Sequence, residues 1–295
     1  HYDKALADSA EAAGAVMMNY TKALGVIKED GVVVGVKAIS DGEEFEIRAP
    51  LTVGADGHAS IIRRSAGLTR YFSDYGVTAQ WTITDLDLEE PGASEIIIGS
   101  VVPGAYVWVF PKGKTVANVG LGIRTDRSRP AIQVLDDYIN SDPRFRGKPR
   151  ERKTGGICPS TGTLDKIVID GMILVGDSAG MVIPLSGAGI HTAIVAGKIA
   201  GKVAAEAVAE GNVSAERLLE YHRQFDAAWG KNLRDSKKML TLADKLTDAE
   251  MNKVADMIRQ EDILDLVNGR NVIRTIIGIA LRDPLFSLKF LTKLL

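Results

Sequence analysis

The residues best suited to chemistry lie in a turn between a short apolar run at 172–175 and a helical pattern that starts at 190 and continues to about 209. The apolar run predicts a buried strand, and glycines line the turn that follows it. Together with the helix N-terminus they predict a site for a ligand that carries hydroxyls and negative charge. The alternative is an ordinary strand–helix unit whose glycines only allow close packing. The candidate ligand-binding residues are Gly176, Asp177, Pro184, Gly187, Gly189 and Ile190.

A second turn, Asp56-Gly57, follows another apolar strand-like run and precedes a short helical pattern. The glycine allows the backbone to approach a ligand closely, and Ser60 can cap the helix. Arg63 and Arg64 fall within that helix, and their pattern favours a solvated face or a structural ion pair over ligand contact. Asp56 and Gly57 are therefore the second set of candidate ligand-binding residues.

A third set of candidates is an aromatic strand near the middle of the chain. Alternation along a strand puts its three rings on one face, and Val107 and Val109 on the other. Side by side, the rings make a broad apolar wall with two polar groups, which suits a long apolar ligand. The alternative is a sheet face that packs against a neighbouring helix. The candidate substrate-contacting residues are Tyr106, Trp108, Phe110 and Pro111.

The three sets resemble, in type and order, the motifs of one group of flavoproteins. The two glycine turns are similar to the flavin motifs of p-hydroxybenzoate-hydroxylase-like FAD proteins, whose first turn also follows a helix and a three-stranded meander. Residues 103–111 fit the PxxYxWxFP pattern of geranylgeranyl reductases, and the phrase ANVGLG at 117–122 follows as in that family. By this resemblance the chain is identified as a member of the archaeal-type, digeranylgeranylglycerophospholipid reductase-like part of the geranylgeranyl reductase family.

The resemblance implies an FAD-dependent enzyme that saturates C=C bonds of geranylgeranyl chains in isoprenoid lipids by hydride transfer from reduced flavin. It implies that Asp177 takes a ribityl hydroxyl and that the backbone of Gly187 and Gly189 approaches the flavin ring. The aromatic wall would then position the isoprenoid lipid. The implied electron donor is NADPH, ferredoxin or another reductant, and the sequence assigns no proton donor.

Two other functions stay open. A flavin-dependent monooxygenase or halogenase would use the same fold, and halogenases carry a related WxWxIP phrase. Tyr106 and Phe110-Pro111 stand where that phrase has Trp and Ile-Pro, which favours the reductase. A non-catalytic lipid-binding fragment is the other alternative. Members of the family open with a strand and GxGxxG that hold the ADP half of FAD, and this chain shows neither. A segment on the order of 100 residues, about the size of a domain, is therefore expected to be lacking.

The predicted fold class is α/β (α+β). Asp30-Gly31 and Asp41-Gly42 are hairpin signals within a predicted β-meander. Four further strand-like runs have no helix between them, which predicts an antiparallel sheet. Charged sequence predicts long helices over 215–242 and 248–266. The predicted parts are a partial FAD-binding Rossmann-like domain beginning at 1–74, an inserted antiparallel-sheet substrate domain at 75–160, the rest of the FAD-binding domain at 161–210, and a C-terminal helical region at 211–295.

The composition excludes several classes of function. The net charge of −2 offers no nucleic-acid-binding surface, and no apolar run reaches the length of a membrane span. The single cysteine, Cys158, excludes an intramolecular disulfide and fits a reducing, cytoplasmic location; we expect it to be a buried apolar residue rather than a catalyst. The histidines lack ligand spacing, so no metal site is expected. His191 is expected to pack on its helix rather than to donate a proton.

The tail at 271–295 allows two interpretations. It is rich in Ile, Leu and Phe, and a basic amphipathic tail of this kind can bind peripherally to an anionic inner membrane surface. It can also form a helix pair that covers a substrate tunnel, which is the interpretation we favour. Its charged residues are Arg274, Arg282, Asp283, Lys289 and Lys293.

Overall fold

The computed structural model describes residues 2–68, 72–125 and 127–283. The first elements are α1 (Tyr2–Ala12), β1 (Lys22–Glu29), β2 (Val32–Ser40), β3 (Glu43–Arg48), β4 (Thr52–Gly54) and α2 (Ile61–Ser65). Strands β1 to β3 form the predicted antiparallel meander. Asp30 and Asp41 adopt left-handed backbone, at φ of 49° and 51°, and each precedes a glycine. The two Asp-Gly pairs are therefore the hairpin turns that the sequence predicts.

The middle of the chain forms a five-stranded antiparallel sheet. Its strands are β5 (Tyr75–Ile83), β6 (Glu95–Ile98), β7 (Tyr106–Pro111), β8 (Ala117–Ile123) and β9 (Arg150–Pro159). In space they follow the order β6-β7-β8-β5-β9, and α3 (Ala131–Ser141) packs on one face. Alternation predicts the first four strands. It does not predict β9, whose sequence RERKTGGICP is mostly charged or glycine and whose side chains are mostly exposed.

The two glycine turns are joined through a small sheet at the other end of the molecule. The sheet consists of β4, β10 (Val168–Ile169) and β11 (Met172–Leu174). Helix α4 (Ile190–Ala209) follows the second turn. Strand β11 pairs in parallel with β4, so that Leu174 lies opposite Gly54, and pairs antiparallel with β10. The predicted strand and helix on either side of the second turn are confirmed. Strand β10 was not predicted, because a strand of two residues is too short to show an alternating pattern.

Each of these two regions has its own hydrophobic core. Ile173 and Val203 are fully buried in the core around β11 and α4, and Leu121 and Leu135 in the core between the five-stranded sheet and α3. Burial of one such side chain contributes roughly 1.5–3 kcal/mol to folding. The sheet that carries the aromatic residues is therefore stabilised independently of the glycine turns.

The C-terminal region is helical, as predicted. It comprises α5 (Ala215–Phe225), a π-helical turn at Asp226–Gly230, α6 (Lys231–Ala243), α7 (Asp248–Met257), α8 (Gln260–Val267) and α9 (Val272–Ala280). The single helix expected over 248–266 is wrong: Ile258 adopts extended backbone, and Asp262 accepts a hydrogen bond from the Arg259 backbone to start α8. None of the helices within the described ranges combines the length and apolar character needed to cross a membrane. Lys289 and Lys293 lie outside the described residues.

Gly171 joins the meander to the parallel strands. It has a φ of +74°, and a Cβ at this position would lie 2.0 Å from the carbonyl oxygen of Val33. Its own N–H donates to Val213 O at 2.8 Å, and its carbonyl accepts from Thr52 N at 2.9 Å. No side chain can be added here without separating the two sheets.

We therefore expect Gly171→Ala to lower the free energy of unfolding by far more than backbone strain alone. Gly147 provides the matched control, because its φ of +71° is nearly the same and no atom lies within 4 Å of the added Cβ. Gly147→Ala should cost about 1 kcal/mol, the penalty of left-handed backbone, while Gly171→Ala should cost several times more. Urea unfolding of both variants measures the difference, and equal losses would contradict the role given to Gly171.

Candidate functional site

The two glycine turns leave neighbouring strands at the same edge of the small sheet. Because β4 and β11 run parallel, their carboxyl ends coincide, which is where ligands bind in open α/β sheets. Val175 N donates to Gly54 O at 3.0 Å, and Ser178 Oγ donates to the same carbonyl at 2.7 Å. The turns Asp56-Gly57 and Gly176-Asp177 are thus held side by side, as the sequence order predicts.

Arg63 links the two turns. Its guanidinium is 1% exposed and donates to Ser178 O and to His58 O, both at 2.7 Å, while it stacks over the ring of Phe72. Desolvation lowers the pKa of Arg63 below its usual value, and the charge of Asp56 opposes that shift. Of the two structural roles expected for Arg63, a solvated face or an ion pair, the solvated face is wrong, because the side chain is buried. The only sequence signal for this role was its position, seven residues after Asp56 on the buried side of α2.

In the first turn, the Asp56 carboxylate is used by its own helix. It accepts hydrogen bonds from Ser60 Oγ at 2.6 Å and from Ile62 N at 3.1 Å, and Ser60 Oγ in turn accepts from Arg63 N at 2.8 Å. The predicted serine cap is therefore confirmed. Gly57, at a φ of +75°, has no atom within 4 Å of where a Cβ would stand. The backbone of this turn consequently faces open space.

In the second turn, the Asp177 carboxylate is left without a partner. It lies in the short helical turn Gly176–Ala179, is half-buried, and makes no side-chain hydrogen bond to any described residue. Burial raises the pKa of Asp177, and the charge of His58 opposes that shift. A Cβ on Gly189 would lie 3.1 Å from Asp177 Oδ1, so glycine keeps this carboxylate accessible. A half-buried carboxylate without a donor fits a ligand that brings hydroxyls.

The remaining residues of the second turn face the aromatic strand. Gly187 has a φ of +69°, and a Cβ there would lie 3.5 Å from Cys158 Sγ and 3.6 Å from the Tyr106 hydroxyl oxygen. Gly189 caps the N-terminus of α4, and the apolar side chain of Ile190 is 71% exposed beside it. Of the residues predicted in this turn, Gly187 and Ile190 are exposed, whereas Gly176 and Pro184 are buried.

The aromatic residues form a continuous wall. Tyr106 and Trp108 meet edge to face with ring centroids 5.8 Å apart, and Trp108 stacks on Phe110 at 6.2 Å. Tyr106 Oη donates to Ser186 O at 2.7 Å, which joins the wall to the second glycine turn. Burial raises the pKa of Tyr106. Pro111 lies apart from the wall, because alternation turns it to the opposite face.

Trp108 is seated on a glycine. Its Nε1 donates to Gln80 Oε1 at 2.9 Å. A Cβ on Gly120 would lie 2.4 Å from Trp108 Cζ2, so the indole occupies the space above this glycine. Gly120 lies directly opposite Trp108 in the pairing of β7 with β8. Sequence reasoning noted the phrase at 117–122 but missed this contact, which strand register could have revealed.

The aromatic wall is one side of a cavity of about 1040 Å³. The opposite side is apolar and comes from helices α6 to α9. Of the two roles expected for the tail, its described part has the second, which is to cover the cavity. Ile276, Ile279 and Ala280 of α9 line the cavity. Pro184, Leu185 and Gly187 line it where it reaches the second glycine turn. An apolar chain in this cavity would therefore end beside that turn.

Ion pairs fasten the helical wall to the sheet. Arg124, which is buried after β8, pairs with Asp74 at 2.7 Å and with Asp244 at the end of α6. Lys237 of α6 also pairs with Asp74. These residues come from separate stretches of the chain, and sequence reasoning did not find them. Ser100 Oγ adds a hydrogen bond to Asp248 of α7 at 2.6 Å.

Cys158, which was expected to be buried, is only partly buried and lines the cavity. Burial, with a smaller contribution from the charge of Asp177, raises the pKa of Cys158 to about 11, so the thiol stays protonated at neutral pH. His191 packs edge to face on Trp229, with ring centroids 5.0 Å apart. Across residues 2–68, 72–125 and 127–283, His, Cys, Asp and Glu form no group of three or more that could hold a metal ion.

Comparisons with known proteins agree with this geometry. Residues 74–156 match the family described as the geranylgeranyl reductase catalytic domain. The chain is 35% identical over 292 residues to digeranylgeranylglycerophospholipid reductase 2 of Methanopyrus kandleri, covering 96% of this chain and 74% of that protein. It matches the crystal structure of a geranylgeranyl bacteriochlorophyll reductase-like protein from Thermoplasma acidophilum at 28% identity and a TM-score of 0.86, covering 100% of this chain and 74% of that one.

Halogenases are similar in fold. The myxobacterial chondrochloren halogenase, an FAD-dependent enzyme, is 18% identical to this chain with a TM-score of 0.61, covering 97% of this chain and 68% of that one. A sequence identity this low is evidence of a similar fold and not of a similar substrate. The comparisons therefore separate the reductases, which match in sequence, from the halogenases, which match in architecture.

The seat of Trp108 can be tested with Gly120→Ala. Its new methyl would collide with the indole and with the Ala79 carbonyl, so we expect the ring to tilt and the hydrogen bond to Gln80 to break. Tryptophan fluorescence and near-ultraviolet circular dichroism should both change. Gly156→Ala is the control, because its nearest neighbour, Thr78 Oγ1, would be 3.8 Å away, at ordinary van der Waals distance. Unchanged spectra for Gly120→Ala would contradict the assignment.

Proposed function

This chain belongs to the family of digeranylgeranylglycerophospholipid reductases, and from that premise we propose that it is an FAD-dependent reductase of geranylgeranyl chains in isoprenoid ether lipids. The reaction is the saturation of isolated C=C bonds. The enzyme that catalyses this reaction is an oxidoreductase. It needs a bound flavin, an isoprenoid lipid as substrate and a source of electrons.

The observation that carries the proposal is the junction between the cavity and the second glycine turn. There the open backbone at Gly187 lies beside the hydroxyl of Tyr106, and two residues further along the turn Gly189 lies beside the Asp177 carboxylate, which has no hydrogen-bond partner among the described residues. The same junction closes one end of an apolar cavity large enough for a lipid chain. A site for a hydroxylated ring system is thus in contact with a site for an apolar chain, which hydride transfer to an alkene requires.

The residues of the two turns fit a flavin. Asp177 would accept hydrogen bonds from the ribityl hydroxyls, and Gly187 and Gly189 would let the ring approach the backbone. The N-terminus of α4, which begins at Ile190, has no side-chain cap and would favour the anionic edge of a reduced ring. When bound, a reduced flavin supplies the hydride.

FAD rather than a mononucleotide is supported by the surroundings of the first turn. Beside Asp56-Gly57 lies a cleft of about 470 Å³ that carries two cations, Lys22 and Arg64. Cations beside an open glycine turn suit a pyrophosphate, which the adenylate half of FAD brings. We therefore assign Asp56 and Gly57 to the cofactor side of the site, with Asp56 acting through the helix that it caps.

The aromatic wall serves the substrate. Tyr106 and Trp108 would hold the alkene next to Gly187, and the helical wall would keep water away from the reacting carbons. Each saturated bond consumes two electrons, so the protein works with an electron donor, NADPH or a redox protein such as ferredoxin. In the proposed arrangement the donor reaches the flavin from the open side near Ile190, because the cavity side is occupied by lipid.

Replacing Trp108 should separate substrate from cofactor. We expect Trp108→Ala to slow anaerobic reoxidation of the reduced flavin by a geranylgeranyl lipid up to about tenfold, because one stacked aromatic contact is lost at the reacting end. The flavin absorbance should be nearly unchanged. Trp81→Ala is the control, because Trp81 lies on the opposite face and donates to Asp136.

Two results would argue against this assignment. Loss of flavin from Trp108→Ala would place the ring at the cofactor rather than at the lipid. Reduced wild-type protein that reacts with oxygen but never with a geranylgeranyl lipid would favour a monooxygenase, and protein that takes up lipid but no flavin would leave only lipid binding.

Asp177→Asn should weaken cofactor binding without weakening the fold. Because burial raises the pKa of Asp177 in the cofactor-free protein, its stabilising effect belongs to the protonated form and is lost as the pH rises through that pKa. Ribityl donors would lower the pKa again, so flavin should bind more tightly as the pH rises through the same range.

For Asp177→Asn we therefore expect an unfolding temperature at neutral pH that is unchanged or higher, weaker flavin binding, and no such pH dependence. Flavin fluorescence titrations from acidic to neutral pH measure the binding, and thermal melts measure the stability. The exposed Asp165→Asn is the control. A variant that binds flavin as the wild type does at every pH would remove Asp177 from the cofactor site.

A further inference from the structure

The five-stranded sheet continues past the cavity as a row of polar residues. Residues paired across antiparallel strands share a face, so the register sorts the cavity-facing side chains into rows. The cavity ends at the row of Trp108 and Gln80 and at Phe110. We call the next row outward the outer row; it consists of Phe110, Asn118, Thr82 and Arg152.

Two cations flank the outer row. Arg152 stands exposed at its end on the edge strand β9, and Lys112 stands exposed directly after β7, two residues beyond Phe110. Within the described part of the chain, neither side chain forms an ion pair or a hydrogen bond. The neighbouring Arg150 differs, because it pairs with Asp136 at 2.6 Å.

Between the cations lies a neutral donor. Thr82 Oγ1 donates to Asn118 Oδ1 at 3.0 Å, which fixes the orientation of the amide. The Nδ2 group of Asn118 meets no acceptor among the described residues, and the side chain is only half-buried. One amide and the two flanking cations form a set of donors for the oxygens of an anion.

We propose that the outer row is a headgroup subsite, which binds the phosphate of an isoprenoid phospholipid while the apolar chain runs over Phe110 and Trp108 to Tyr106. This inference rests on the proposed function, because it names the polar part of the substrate that the reductase takes. Phosphate is costly to remove from water, whereas the chain gains from burial. An exposed margin with cations, at the mouth of an apolar cavity, satisfies both requirements.

The interior of the cavity does not offer such a subsite. The charged side chains that line it are Arg124, Asp244 and Asp248, so carboxylates outnumber the cation. Arg124 is moreover fully engaged by Asp74 and Asp244. An anionic headgroup would be repelled there and is attracted to the outer row.

The subsite determines which double bonds react first. From Phe110 to Tyr106 the strand advances four residues, or about 13 Å at 3.3 Å per residue. A lipid held by its phosphate at the outer row therefore presents a double bond beyond the one nearest the headgroup to the Gly187 turn.

The double variant Lys112→Gln/Arg152→Gln tests the subsite. Binding is measured by quenching of tryptophan fluorescence, in micelles of neutral detergent, with digeranylgeranylglycerol phosphate and with uncharged geranylgeraniol. We expect the variant to bind the phosphate lipid about tenfold more weakly, as loss of two exposed charge contacts implies, and to bind geranylgeraniol as the wild type does. Added salt should weaken binding of the phosphate lipid to the wild type but not to the double variant.

Lys153→Gln is the matched control, because Lys153 is the next residue of β9 and lies on the opposite face, over Trp81. It should bind both ligands as the wild type does. Equal weakening of both ligands in the double variant, no weakening at all, or the same loss in Lys153→Gln would each overturn the subsite.

Two further arms identify the source of the anion. Inorganic phosphate that displaces the phosphate lipid from the wild type, but not from the double variant, supports the subsite. A variant that loses binding only to anionic vesicles without isoprenoid, and keeps full affinity for the micellar phosphate lipid, assigns the cations to membrane docking and overturns it. Because these are binding measurements, a protein that prefers the phosphate lipid but reduces neither ligand would refute the reductase function and leave the subsite standing.

Discussion

The parallel pairing of β4 with β11 is the constraint on which the rest of the structure depends. It sets Gly54 beside Leu174 and thereby brings together two turns that are far apart in the chain. Arg63 then ties the turns with one buried guanidinium, bound to a carbonyl of each. Because a buried cation is costly once its donors lose their partners, any relative shift of the turns would be opposed. The Arg63 contacts therefore hold the two turns in a fixed relation to each other.

Two aspartates of the same motif type have opposite roles in this cradle. Asp56 is saturated by its own helix, and its carboxylate serves the shape of the turn. Asp177 is half-buried and accepts no hydrogen bond from any residue that the structure describes, and burial raises its pKa. A cost of this kind fits the cofactor-binding role proposed for Asp177. Spacing alone could not have separated the two roles.

Local patterns predicted the hairpins at Asp30 and Asp41, the alternation along β7 and the turn before α4, because each is decided by neighbouring residues. Contacts between distant segments were missed. Strand β9 owes its place to pairing with β5 rather than to its own sequence. The burial of Arg63 and the ion cluster around Arg124 likewise depend on partners that only the folded chain supplies. The break in the helix at Ile258 was not predicted, because the apolar pattern continues across it.

The cavity wall formed by α6 to α9 has a consequence for how fast the protein can work. A saturated tail is as water-averse as its unsaturated precursor, so completing the reaction does nothing to expel it. Departure requires the apolar chain to leave the cavity through its mouth and to meet water there. Dwell time inside the protein, rather than bond making, would then set the pace of turnover. A long dwell also allows several bonds of one tail to be processed in a single visit.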